Sequence, residues 1–166
     1  KSRDSLLKFL DTQTLKIFDI NLRSPFYSFE VLQKLLSRTN ILKLNEDELQ
    51  VLIDFHGFPS ESQKALDRLT EHYDLDMICL TKGKNGADLY VEDELFSHPG
   101  YPVTVQDTVG SGDAFLSALV ISFLEGKAPE QILDEACALG AFVATRKGGT
   151  PKYEQSDIEE IKSKSC

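Results

Sequence analysis

Nine consecutive residues, Asp107-Thr108-Val109-Gly110-Ser111-Gly112-Asp113-Ala114-Phe115, restrict what this chain can become more than any other stretch. A short β-like run, Val103-Thr104-Val105, precedes them. Phe115, Ala118, Leu119, Ser122 and Phe123 then recur at the spacing of one helix face, and Gly126 is placed to end that helix. The expected unit is strand, glycine-rich loop, helix. Gly110, Ser111 and Gly112 bring little side-chain bulk to the point where the helix begins. The first-turn N–H groups of a helix have no partner within it, and the helix dipole adds partial positive charge there. The loop is therefore suited to cradle an anion, most naturally a phosphate. Asp113 sets a carboxylate in the same turn. A carboxylate gains nothing beside a phosphate that is only bound, but at a transfer site it can orient an attacking hydroxyl and take its proton. The other reading of Asp113 is an N-cap.

The chain has 166 residues, enough for one domain with a real core, and its 41% apolar and 27% charged content is that of an ordinary globular protein. Net charge is −9, from 18 basic and 27 acidic residues. No basic stripe is present, which argues against nucleic acid and anionic membrane as partners. No apolar run approaches membrane-spanning length, and no signal peptide is evident. Cys79, Cys137 and Cys166 are widely spaced, odd in number and without metal-ligand spacing, which fits a reducing cytoplasm. His56, His72 and His98 belong to no catalytic constellation and read as surface or turn residues.

Along the chain, residues 1–10 read as the end of a helix with Leu6, Leu7, Phe9 and Leu10 on its apolar side. Leu15 to Ile20 reads as a strand, followed by a polar turn, Asn21 to Pro25, that Pro25 stiffens. A helix is expected from about Ser28 and a short buried strand over Ile41 to Leu44. Asn45-Glu46-Asp47-Glu48 then opens a helix that closes at His56 to Pro59. Ser60 is placed to cap the next helix, with Gln63 in the capping-box position and Ala65, Leu66, Leu69 and Tyr73 on the buried face. A strand over Asp76 to Thr81, a tight turn over Lys82 to Gly86, a returning strand over Ala87 to Val91 and a second turn at Glu92 to Glu94 follow. Pro129 opens a long helix, Thr145 to Pro151 breaks it, and Ser156-x-x-Glu159 reads as a capping box for a last short helix. Strands alternating with helices predict an α/β fold: a three-layer αβα, Rossmann-like arrangement on a mainly parallel sheet, with one antiparallel excursion over Thr81 to Phe96.

Three further positions lie at strand ends, where open α/β sheets carry their ligand sites. Asn45 and Glu48, at i and i+3, lie on one side of a helix start. An amide and a carboxylate there can hold the water shell of Mg²⁺, and they can equally be a capped helix start. Thr81-Lys82-Gly83-Lys84-Asn85-Gly86 is a glycine turn whose amides could approach phosphates, with Lys84 to neutralise them. It is also an ordinary hairpin turn. Asp19-x-Asn21-x-Arg23 reads as a polar loop.

The string D-T-V-G-S-G-D-A-F-L-S-A-L-V resembles the C-terminal signature of the ribokinase-like (PfkB) carbohydrate kinases. No Gly-Lys-Ser/Thr follows, so it is not a Walker A loop. L-K-L-N-E-D-E is similar to the N-x-x-E motif of the same family, T-K-G-K-N-G to its T-x-G-x-x-G turn, and F-D-I-N-L-R to a segment of its fructokinase-like and ketodeoxygluconate-kinase-like members.

The resemblance implies an ATP-dependent, fructokinase-like sugar kinase of ribokinase-like fold. It implies Gly110, Ser111, Gly112 and Asp113 as the anion hole, with Asp113 as base, and Asn45 and Glu48 as Mg²⁺ and phosphate residues acting through water. It further implies Thr81, Gly83, Gly86 and Cys137 (on the helix expected to wall the adenine site) as nucleotide contacts, and Asn21 and Arg23 toward the sugar. Asp107, beside a loop at Arg146 to Gly149, is implied as a ligand of a monovalent cation such as K⁺. As a residue reading, Asp107 is a turn initiator.

The family's N-terminal half, with its sugar-reading glycines and lid strands, has no counterpart in these residues, and the first residue is Lys1. The expectation is that residues 1–166 form one nucleotide-binding and catalytic domain, the C-terminal part of a longer kinase. Alone, it would bind ATP weakly, phosphorylate no sugar, and dimerise or aggregate through an open edge at Leu15 to Ile20. The alternatives are a nucleotide-binding or sensing module without turnover, against which the intact Asp113 argues, and an unrelated α/β domain with structural loops.

Overall fold

A computed structural model describes residues 2–23 and 26–164, with the side chains of residues 2–4 and 7 outside that description. The turn assigned to Pro25 and the thiol of Cys166 lie outside the described residues. The elements are α1 (Ser2–Leu10), β1 (Ile17–Asp19), α2 (Phe29–Leu36), β2 (Ile41–Asn45), α3 (Glu46–His56), α4 (Ser62–Tyr73), β3 (Met77–Thr81), β4 (Ala87–Val91), β5 (Glu94–His98), α5 (Ser111–Leu124), α6 (Pro129–Ala144) and α7 (Gln155–Ser163). The strands form one sheet in the order β1-β2-β3-β4-β5. β1, β2 and β3 pair in parallel, with Asp19 opposite Lys43 and Asn45 opposite Thr81. The connections to β4 and β5 are too short for parallel crossovers, so these strands return as hairpins. The expected antiparallel excursion is therefore present. β1 is terminal in the order, as the open-edge expectation requires.

The chain divides into two compact units. One comprises Lys1–Thr81 with Tyr90–Leu95, the other Lys82–Leu89 with Phe96–Cys166. In the first, Leu42, Leu44, Ile78 and Leu80 form near-continuous apolar runs on β2 and β3, as strands covered on both faces require. Leu32 and Leu36 of α2, Leu49, Leu52 and Ile53 of α3 and Leu66 and Leu69 of α4 pack against them. Each such fully buried leucine contributes about 1.5–3 kcal/mol. Ser28 caps α2 through Val31 N–H at 3.4 Å, and α3 ends on Gly57 in the left-handed region. In the second unit α5 packs along α6, and Phe142, Val143, Ile158 and Ile161 form a small core. Pro129 opens α6, and Gly126, at φ +70°, stops α5.

Several local expectations fail for identifiable reasons. Val103 to Val105 forms no strand, because after Val105 the chain turns to α6: the N–H groups of Gln106 and Asp107 donate to the Ala144 carbonyl at 2.8 and 3.3 Å. Ser60 does not cap α4. The helix starts at Ser62 with Glu61 as its N-cap residue, no side-chain cap bond is made, and Glu61 pairs with Lys64 at 2.8 Å. Ser156 lies inside α7, where the cap-region bond runs from Glu154 N–H to Asp157 Oδ2 at 2.9 Å. Leu6 and Phe9 on α1 are exposed. His56 and His98 are half-buried rather than surface residues. Among the described residues, no helix is long and apolar enough to cross a membrane.

Candidate active site

Gly110 is the N-cap of α5 at φ +79°, a conformation only glycine adopts freely. A Cβ there would lie 2.4 Å from the carbonyl oxygen of Gly149 and 2.5 Å from its Cα. The glycine-rich loop and the loop after α6 thus meet backbone to backbone. Ser111 Oγ donates to the Gly140 carbonyl at 3.0 Å, so its side chain pins α5 to α6 instead of facing the loop mouth. Gly140 permits that approach: a Cβ on it would sit 3.3 Å from both Phe115 Cβ and the Ser111 carbonyl oxygen.

The N–H of Ala114 is taken by the Gly110 carbonyl at 2.9 Å, whereas those of Gly112 and Asp113 donate to nothing among the described residues. Both residues are exposed. The loop therefore presents two open amides at a helix N-terminus, an arrangement suited to an anion. Asp113 is the third residue of α5. Its carboxylate makes no hydrogen bond or ion pair among the described residues, so it is not the cap.

Asp107 joins the same cluster. Its Oδ1 accepts Val109 N–H at 3.0 Å, closing an Asx-type turn, and its Oδ2 accepts Gly148 N–H at 3.3 Å. Those N–H groups, Val109 first and Gly148 next, hold its carboxyl below the ordinary carboxylate range. The expected neighbourhood of Asp107 and the Arg146 to Gly149 loop is thus observed, together with the turn-initiating geometry of the simpler reading.

In the first unit the strand ends gather three motifs. Asn45 and Glu48 form a reciprocal capping box: Glu48 N–H donates to Asn45 Oδ1 at 2.9 Å, and Asn45 N–H donates to Glu48 Oε2 at 2.8 Å. The other carboxylate oxygen, Oε1, accepts the N–H of Leu22 at 2.9 Å, tying the Asn21 to Arg23 segment to this helix start. Glu48 is only 7% exposed. Asn21 sits at φ +44°, and both Asn21 and Arg23 are exposed. Thr81, opposite Asn45 in the sheet, donates its hydroxyl to the Leu44 carbonyl at 3.3 Å.

Sequence reasoning missed Lys43. Its Nζ lies 2.8 Å from Asp19 Oδ2, with the lysine side chain 9% exposed. The available signal was a lysine between Leu42 and Leu44 in an otherwise apolar strand, since lysine is buried only when paired.

The Gly83 to Gly86 turn belongs to the second unit. Lys82 N–H donates to the Gly86 carbonyl at 2.8 Å, and Lys82 Nζ meets Asp88 at 2.5 Å. Gly83, at φ +55°, has open space around it, whereas Gly86 is buried against residues 98–100. Lys84 is exposed and makes no ion pair among the described residues. Cys137 is buried on α6 and, like Cys79, is in no disulfide. Burial pushes its thiol up to about 12, so it serves as packing and not as a nucleophile.

Among the described residues no cluster of three or more His, Cys, Asp or Glu side chains is suited to hold a metal directly. The Asn45–Glu48 pair fits Mg²⁺ only through water. Each Glu48 oxygen accepts one N–H and keeps a lone pair, and Asn45 is exposed.

Residues 5–156 match the model of the pfkB family carbohydrate kinases, and the chain belongs to that family. It is 31% identical over 157 residues to fructokinase-1 of Oryza sativa subsp. japonica, covering 87% of this chain and 47% of that protein. The aminoimidazole riboside kinase of Salmonella enterica, solved with aminoimidazole riboside and an ATP analogue, is 25% identical with a TM-score of 0.77, over 98% of this chain and 58% of that one. The nucleoside kinase of Methanocaldococcus jannaschii, an archaeal member of the ribokinase family, superposes with a TM-score of 0.81 at 23% identity, over 97% of this chain and 53% of that one. The chain spans about half the length of these relatives.

Proposed function

We propose that this chain is the nucleotide-binding and catalytic part of an ATP-dependent sugar kinase of fructokinase-like preference. The carrying observation is the start of α5, where two open amides and an unengaged carboxylate, Asp113, share one helical turn. Asp113 takes the proton of a sugar hydroxyl as the oxygen attacks the γ-phosphorus. The new O–P bond forms as the bond from the bridging oxygen to the γ-phosphorus breaks, leaving ADP. The N–H groups of Gly112 and Asp113 stabilise the charge on the transferring oxygens. Gly110 and Ser111 keep those amides in place through Gly149 and Gly140.

Thr81, Gly83 and Gly86 serve the nucleotide, with Cys137 behind the adenine side. Arg23 and Asn21 serve the sugar. Asn45 and Glu48 would hold Mg²⁺ through water, and the ion would supply charge neutralisation to the phosphates. Asp107 would serve a monovalent cation beside the loop with the carboxylate lone pairs left by Val109 and Gly148. The fructokinase resemblance and the riboside kinase solved with an ATP analogue support the choice of ATP and a sugar alcohol.

The test is a Mg-ATP thermal-shift titration of the 166-residue chain, coupled to ADP release over a sugar panel, with and without the N-terminal half of a fructokinase relative. Stabilisation by Mg-ATP and fructose-dependent ADP release on mixing are expected. No stabilisation at saturating Mg-ATP would overturn the reading.

A further inference from the structure

Three groups outside the motifs converge on Asp134 of α6. Tyr101 donates its phenol O–H to Oδ1, Lys162 of α7 places Nζ 2.7 Å from Oδ2, and Nε2 of His98 lies 3.6 Å from Oδ1. Lys162 also reaches Glu135 at 3.4 Å, and Glu135 lies 3.7 Å from Lys127. Burial would raise the Asp134 carboxyl, but Lys162, Tyr101 and His98 together hold it below its ordinary value. Burial, and then the bond to Asp134, push the Tyr101 phenol up. The aspartate is therefore a charged hub that ties α6 and α7 to the segment 98–101.

That segment supports the turn assigned to the nucleotide. A Cβ on Gly86 would lie 1.9 Å from the His98 carbonyl oxygen and 2.4 Å from Gly100 N. A Cβ on Gly100, itself at φ +80°, would lie 3.0 Å from Gly86 Cα. The Gly100 N–H closes onto His98 Nδ1 at 3.0 Å, which gives the segment a fixed form. The turn itself has two positive-φ glycines, Gly83 and Gly86, and none of Gly83 to Asn85 is buried. Glycine-rich backbone has little intrinsic preference, so its shape is set by what backs it.

We propose that Asp134 is a positioning residue for the Gly83 to Gly86 turn: it clamps His98 and Tyr101 so that residues 98–100 hold the turn in its nucleotide-receiving form, with Lys162 fixing the clamp from α7. This rests on the reading of that turn as a nucleotide contact. Asp134 touches neither nucleotide nor sugar in this role. It acts through the backbone of residues 98–100.

The test is amide hydrogen exchange on the 166-residue chain, as wild type, Asp134→Asn, Asp134→Glu and Tyr101→Phe, with and without Mg-ATP. Without nucleotide, the amides of Asn85, Gly86 and Gly100 should exchange about tenfold faster in Asp134→Asn and about threefold faster in Tyr101→Phe, with β2 and α3 unchanged. Unchanged rates at Gly86 and Gly100, or equal acceleration throughout both units, would overturn the clamp. Protection of residues 83–86 by Mg-ATP in the wild type is what the nucleotide reading requires. Its absence sinks that reading, while the clamp is judged on the exchange rates alone. Where Mg-ATP does bind, Asp134→Asn should weaken its affinity about tenfold, with partial recovery in Asp134→Glu. An affinity within about twofold of wild type would overturn the positioning role.

Discussion

Glu48 accepts the backbone N–H of Leu22 at 2.9 Å, so a carboxylate on the first turn of α3 fixes a loop that leaves a different strand. The same side chain closes the capping box with Asn45. One buried group thereby couples the two segments assigned to Mg²⁺ and to the sugar.

Glutamine at position 48 keeps one acceptor oxygen and turns an amide N–H₂ toward a backbone donor. Glu48→Gln should cost about 1–2 kcal/mol, measured by urea unfolding, and should speed exchange of the Leu22 or Asn45 amide. In an active assembly it should also raise the Mg²⁺ concentration needed for half-maximal rate several-fold. An unchanged Mg²⁺ dependence, with the stability loss present, would leave Glu48 as a cap and loop tie only.

Asp113→Asn retains the shape of the first turn and its open amides while removing the base. The expected result is a loss of about 10²–10⁴-fold in kcat with Mg-ATP affinity within a few-fold of wild type. Near-normal kcat would remove Asp113 from the chemistry.

Gly110→Ala places a methyl group 2.4 Å from the Gly149 carbonyl oxygen at a backbone φ of +79°. The left-handed conformation costs alanine roughly 1–2 kcal/mol, and displacing the facing loop adds to this, so a loss of at least about 2 kcal/mol is expected. Calorimetric unfolding measures it, and Mg-ATP stabilisation should vanish in the same variant.

Lys43→Met strands the Asp19 carboxylate. Removing one partner of a buried ion pair costs about 3–5 kcal/mol. Because Asp19 is 25% exposed, water screens part of this, and a smaller loss of about 2–3 kcal/mol is expected here. The double variant Lys43→Met with Asp19→Leu should recover most of that loss, since no charge remains unpaired. Urea unfolding of the two single variants and the double completes the cycle.

Stability should fall on mild acidification through His56. Burial first, and the neighbouring His72 charge second, lower its pKa from the ordinary 6.5. The unfolded chain takes up that proton as pH drops through 6.5, and the folded chain only at lower pH. The contribution is therefore complete above the unfolded value and is lost as pH falls through the folded one. His98, also lowered first by burial, acts in the same direction. Unfolding free energies compared at about pH 7.5 and 5.5 should show a smaller acid loss in His56→Gln than in the wild type.

The sequence by itself determined the elements whose signals are local. The apolar runs of β2 and β3, the helix periods of α3 and α5, Pro129 at the start of α6 and Gly126 at the end of α5 all depend on residues within a few positions of one another. The glycine-rich loop was legible for the same reason, and so was the Asn45–Glu48 box.

Only the tertiary structure decided the rest. Ser111 turned to Gly140, Gly110 closed on Gly149, Glu48 reached Leu22, Lys43 found Asp19 and Asp134 collected Tyr101, His98 and Lys162. Each contact joins residues far apart in sequence, and no periodicity or cap rule carries that information. Local β preference failed at Val103 to Val105 for the matching reason. Strand formation needs a partner edge, and the residues just after Val105 give their N–H groups to the end of a helix instead.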